Sequence, residues 1–144
     1  MGITSAVCNS FKQEILEAEH NFTASTGNTF NLALYDSGAD LSKSTTAYTT
    51  SEELATTGGY TAKGNALTSV TPVLSTDTAV CDFSNTSWTS ASFTARGCLI
   101  FNDSHASDAS VCAIDFGGDK TVTSGTFTIE FPAASASTAI IQIA

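Results

Sequence analysis

Thr126-Phe127-Thr128-Ile129-Glu130-Phe131 alternates polar and apolar residues with a period of two. In an extended chain successive side chains point to opposite faces, so Phe127, Ile129 and Phe131 share one face and the polar residues the other. That is the pattern of a strand buried on one side. Working outward, strand-like stretches recur at 66–74, 78–83, 91–101 and 110–116, and again at 139–143. Turn-forming clusters separate them: Ser75-Thr76-Asp77, Ser84-Asn85-Thr86-Ser87, Asn102-Asp103-Ser104, Gly117-Gly118-Asp119 and Pro132. Farther upstream, Phe30-Asn31-Leu32-Ala33-Leu34-Tyr35 also alternates, with Phe30, Leu32 and Leu34 on one side. It reads as a half-buried strand. Short strands at this spacing predict a mainly β fold, an antiparallel β-sandwich of jelly-roll-like type. No fixed-period repeat emerges, which argues against a solenoid or propeller.

The chain has 144 residues, the size of one domain spanning 1–144. Only 13% of residues are charged, while 19 Ser and 23 Thr supply most of the polarity. Threonine favours strands because its branched Cβ suits a pleated surface. One helix is expected over residues 5–19, capped by Thr4 or Ser5. Val7, Phe11, Ile15 and Ala18 recur there at helical spacing and form one apolar stripe. Glu17 and Glu19 lie near its C-terminus, where negative charge opposes the helix dipole, so this helix needs a packing partner. Residues 36–65 read as a long surface excursion, with a single helical turn near Ser51-Glu52-Glu53-Leu54. The apolar end, Ala139-Ile140-Ile141-Gln142-Ile143-Ala144, is expected to tuck into its own sheet or to pair with a neighbouring subunit.

A net charge of −9 argues against nucleic-acid binding, which needs clustered Lys and Arg, and against docking on anionic membranes. No 18-residue apolar run exists. The N-terminus lacks the basic-then-apolar signature of a secretory signal, so the sequons at Asn21, Asn85 and Asn102 read as accidents of composition. Cys8, Cys81, Cys98 and Cys112 contain no CxxC pair and argue against a zinc knuckle. They read as buried thiols, with a disulfide between two strands left open.

Candidate chemistry is sparse. Asp36-Ser37-Gly38-Ala39-Asp40 resembles the loop of retroviral-type aspartic proteases, but the apolar strand that should follow is replaced by Leu41-Ser42-Lys43-Ser44-Thr45. A strand ending in an Asp/Gly turn is the simpler reading. His20 and His105 read as a helix-end residue and a loop residue, and no Gly-x-Ser-x-Gly elbow accompanies them. Asp103 with Asp108 and Asp115 with Asp119 are the loop acids to weigh for calcium, without EF-hand spacing. Arg96 is the only arginine, and it sits inside the apolar run Phe93-Thr94-Ala95-Arg96-Gly97-Cys98-Leu99-Ile100-Phe101. It needs a carboxylate or carbonyl partner there, and Gly97 beside it signals a bulge or a close backbone approach.

Stretches along almost the whole chain resemble small virion-associated proteins of tailed bacteriophages, common among aquatic and cyanobacterial phages. They are Ile3–Glu14, Phe30–Tyr35, Gly59–Gly64, Ser87-Trp88-Thr89, Phe93–Asn102, Asp115–Lys120, Gly125–Pro132 and Ile140–Ile143. The resemblance implies a structural, non-enzymatic role on a virion, with no cofactor and no catalytic motif to carry over. The favoured expectation is a capsid decoration or cement protein on the outer head surface, made in the host cytoplasm. It would bind the major capsid protein or other virion proteins and form a homo-oligomer, a trimer by preference. A tail, neck, baseplate or fibre component is the alternative, followed by a glycan-binding module presenting Tyr35, Tyr48 or Tyr60. The helix, the 36–65 excursion and the C-terminal strand are the expected contact elements. Val7, Phe11, Ile15, Trp88, Arg96, Ile140, Ile141 and Ile143 are the candidate contact residues.

Overall fold

The computed structural model describes residues 2–144. In chain order the elements are β1 (Ala6–Val7), α1 (Asn9–Leu16), β2 (Phe30–Tyr35), β3 (Asn65–Ala66) and β4 (Ser69–Ser75). They continue with β5 (Thr78–Phe83), β6 (Thr86–Asn102), β7 (Ser110–Ile129) and β8 (Ile141–Ile143). Two antiparallel sheets result, a five-stranded one in the order β1-β7-β6-β2-β3 and a three-stranded one in the order β4-β5-β8. The chain is thus mainly β, in a sandwich-like arrangement of two sheets with one short helix near the N-terminus.

The long β6–β7 hairpin is the spine. The expected turn at Gly117-Gly118-Asp119 is not a turn: β7 runs through it. Ala95 pairs with Lys120 and Gly97 with Asp115, so residues 116–119 bulge opposite the single residue Arg96. Gly117, left-handed at φ 81°, supplies the freedom for that bulge rather than for a reversal. Arg96 Nε donates to Asp119 Oδ1 at 2.8 Å and closes it. A Cβ on Gly97 would stand 2.5 Å from the Ile114 carbonyl oxygen, so only glycine fits beside the arginine. The expected carboxylate partner and close backbone approach are both present.

The helix is shorter than its apolar stripe suggests. Ala6 and Val7 leave it to pair with Ala113 and Cys112 of β7, so Cys8 occupies the N-cap position. At the other end, the Glu19 amide bonds the Glu14 carbonyl and the Ala18 amide bonds the Ile15 carbonyl. This is a Schellman stop, with Ala18 in the left-handed conformation that glycine usually fills (φ 62°).

β2 is buried along its whole length, not on one side. Phe30, Leu32 and Leu34 face the main core between the sheets, where Phe22 stacks on Phe30 with ring centroids 4.2 Å apart. Ala33 and Tyr35 face a second, smaller core, which they share with Ala39, Leu41, Leu99, Phe101 and Ala113. Residues 36–65 therefore add a layer of their own. Leu41 and Tyr48 pack on the outer face, while Tyr60 reaches into the main core. The Leu54 amide bonds the Leu34 carbonyl and the Asp36 amide bonds the Glu52 carbonyl, so the excursion also shields the part of the β2 edge beyond its pairing with β3.

Candidate functional site

A polar knot fastens the excursion to the sheet. Glu53 accepts from the Tyr48 hydroxyl at 2.5 Å, the Tyr60 hydroxyl at 2.7 Å and the Lys63 amide at 2.6 Å. Burial first, and then the Glu53 carboxylate, push the Tyr48 phenol up to about 12 and raise that of Tyr60 as well. Both stay neutral donors. Lys63 Nζ bonds Asp108 Oδ2 at 2.8 Å and Asp103 Oδ1 at 2.9 Å, and these two aspartates raise its pKa. The lysine thus occupies the place between Asp103 and Asp108 where a loop calcium was weighed. Of the second acid pair, Asp115 accepts from the Gly117 amide and Asp119 holds Arg96. Asp36 Oδ1 accepts from the Gly38 amide at 2.8 Å, an Asx turn at a strand end, which accounts for the protease-like Asp36–Asp40 loop.

His20 is buried rather than solvated, which corrects its reading as a helix-end residue in solvent. Its ring lies 4.9 Å from Phe11 and 6.1 Å from His105. The Asn102 amide nitrogen donates to its Nδ1 at 3.1 Å, leaving the proton on Nε2, 3.4 Å from Glu14 Oε1. Burial lowers the His20 pKa more than Glu14 raises it. His105 Nε2 lies 2.6 Å from Glu19 Oε2. The sequence carried no signal for this cluster, because the residues that meet are about 86 positions apart.

The candidate contact residues divide by burial. Phe11, Trp88 and Ile141 lie in the main core. Val7, Ile15 and Ile140 are half-buried against it. Arg96 is half-buried in its ion pair, and Ile143 is 55% exposed. Tyr35 and Tyr60 are buried and Tyr48 is half-buried. The thiols of Cys8, Cys81, Cys98 and Cys112 are free, and burial raises all four pKa values.

Apart from Leu16 at the end of α1, the exposed large apolar side chains of the described residues lie on the smaller sheet. Leu74 pairs with Ala79 and Ala79 with Ile143, so these three side chains form one row across the sheet. Leu74 is 74% exposed. A groove of about 380 Å³ runs beside the row, lined by Ile15, Phe22, Pro72, Cys81, Ile141 and Ile143. Among the described residues no strand pairs with the outer edge of β8. No known family, curated protein or solved structure matches the chain. Among the described residues no helix is long and apolar enough to cross a membrane.

Proposed function

We propose that the chain is a structural protein of a tailed-phage virion, a decoration or cement protein that binds the outer head lattice as a trimer. The observation that carries this reading is the Leu74–Ala79–Ile143 row at the edge of the three-stranded sheet. An apolar row beside an open strand edge suits β-augmentation: a neighbour's backbone pairs with β8 while its side chains cover the row. The resemblance of the sequence to phage virion proteins points the partner toward capsid subunits. The net charge of −9 suits a surface that faces away from packaged DNA.

The mechanism is mass action. A protein that binds the assembled lattice and not the loose subunit stabilises the lattice by RT ln(1 + [L]/Kd), about 2.7 kcal/mol per site at a hundredfold excess over Kd. Virions lacking the protein should release DNA at a lower temperature than complete ones, and adding it back should restore the midpoint. Equal heat stability in depleted and complete particles contradicts the reading.

A further inference from the structure

Glu14, Glu19 and His105 come from α1, the segment just after it and the β6–β7 loop. Their carboxylate oxygens and imidazole nitrogen all lie within 4.8 Å of one another. Among the described residues Glu14 lies against His20 Nε2 at 3.4 Å and Glu19 against His105 Nε2 at 2.6 Å. Among the described residues no lysine or arginine forms an ion pair with either carboxylate. His20 meets Glu14 through its Nε2–H, because its Nδ1 accepts from the Asn102 amide. Two carboxylates thus converge at a helix C-terminus, where the dipole is also negative.

His20 stands outside this triad, and its tautomer is set from elsewhere. Asn102 Oδ1 accepts from the Ser104 amide, which orients the Asn102 side chain, and Nδ2 then donates to His20 Nδ1. The Nε2 proton of His20 is left directed at Glu14. An outer hydrogen bond of this kind is what holds a ligating carboxylate in place.

We propose that Glu14, Glu19 and His105 bind a divalent transition ion of the zinc class, with His20 orienting Glu14 and water filling the fourth position. Imidazole nitrogen and carboxylate oxygen are both zinc ligands, and three protein ligands leave a fourth position for water. Bonds of about 2.1 Å at tetrahedral angles place ligand atoms about 3.4 Å apart, a closure that two flexible glutamate side chains can make. Binding has one identifiable cost. His105 Nδ1 now accepts from the Ser107 amide at 3.1 Å, so its proton sits on Nε2. The metal takes the Nε2 lone pair, the proton moves to Nδ1, and the exposed Ser107 amide turns to water. The ring stays neutral and no proton is released. The ion would tie the N-terminal helix to the hairpin loop.

The test is a zinc titration of the full chain at pH 7, followed by thermal unfolding and by the ring ¹⁵N shifts of His105. The expected result is a midpoint raised by about 5–10 °C at a hundredfold excess over Kd. Mg²⁺ and Ca²⁺ should give no rise, His105 should change from Nε2–H to Nδ1–H, and His105→Gln should abolish the zinc effect. The proposal is overturned by no rise in the wild-type chain, or by an equal rise with Ca²⁺ or in the variant. An unchanged His105 tautomer also overturns it, since the ion would then be bound elsewhere. Should His105→Gln fail to fold, the tautomer measured on the wild-type chain decides alone.

Discussion

Gly64 lies against Leu32 so closely that a Cβ built on it would stand 1.8 Å from the Leu32 carbonyl oxygen. The contact presses the end of the excursion onto the buried strand β2, and Gly64 is also left-handed there (φ 66°). Gly64→Ala should therefore destabilise the chain by about 3 kcal/mol or more, since backbone must move and the conformation is strained. Gly118→Ala should be near neutral, because a Cβ there meets nothing within 4 Å. Denaturant midpoints of the two variants check both. Similar losses would mean that the excursion is not anchored at Gly64.

Ala18 closes the helix in a conformation that costs an L-residue about 1–2 kcal/mol. Ala18→Gly should stabilise the protein by about 0.5–1 kcal/mol, after glycine's greater freedom in the unfolded chain is subtracted. Chemical denaturation measures it, and a destabilised variant would contradict the Schellman geometry.

Burial lowers the pKa of His20 below its unfolded value of about 6.5, so the unfolded chain binds the proton first as pH falls. The stability His20 contributes is complete above pH 6.5 and is lost as pH drops toward its folded pKa. The slope is at most about 1.4 kcal/mol per pH unit, for a single proton. The groups facing it are Glu14, Glu19, His105 and Asn102. His20→Gln should flatten the slope between pH 6.5 and 5, as read from unfolding free energies across pH. An unchanged slope would place the proton uptake elsewhere.

The two outer isoleucines of β8 should behave differently. Ile141 is 5% exposed and Ile143 is 55% exposed. Ile141→Ala should cost about 2–4 kcal/mol of folding stability through the cavity it leaves. Ile143→Ser should change stability by less than about 1 kcal/mol, yet weaken particle binding at least tenfold. Isotherms on stripped particles measure the binding. Unchanged binding of Ile143→Ser would remove β8 from the contact.

Period-two patterning carried most of the fold. The strand at 78–83 and that at 30–35 match their sequence limits, because turn residues bound them closely. Features that depend on a distant partner were not legible. Val7 carries helical spacing, and only pairing with β7 pulls it and Ala6 into a strand. Gly117-Gly118 carries turn chemistry, and only the continuing β6 partner converts it to a bulge. The alternation in β2 concealed a second buried face, because Ala33 and Tyr35 look equally at home on a half-exposed surface. Glu53 and His20 resemble ordinary surface residues until the fold supplies Tyr60 and Asn102.

The direct test of the structural role is where the chain sits on a particle and in how many copies. Electron-microscopic reconstruction of virions with and without the protein should show difference density on the outer head, hundreds of copies at symmetry axes, with β8 against the neighbouring subunit. Difference density confined to the tail, or none on the particle, contradicts the account.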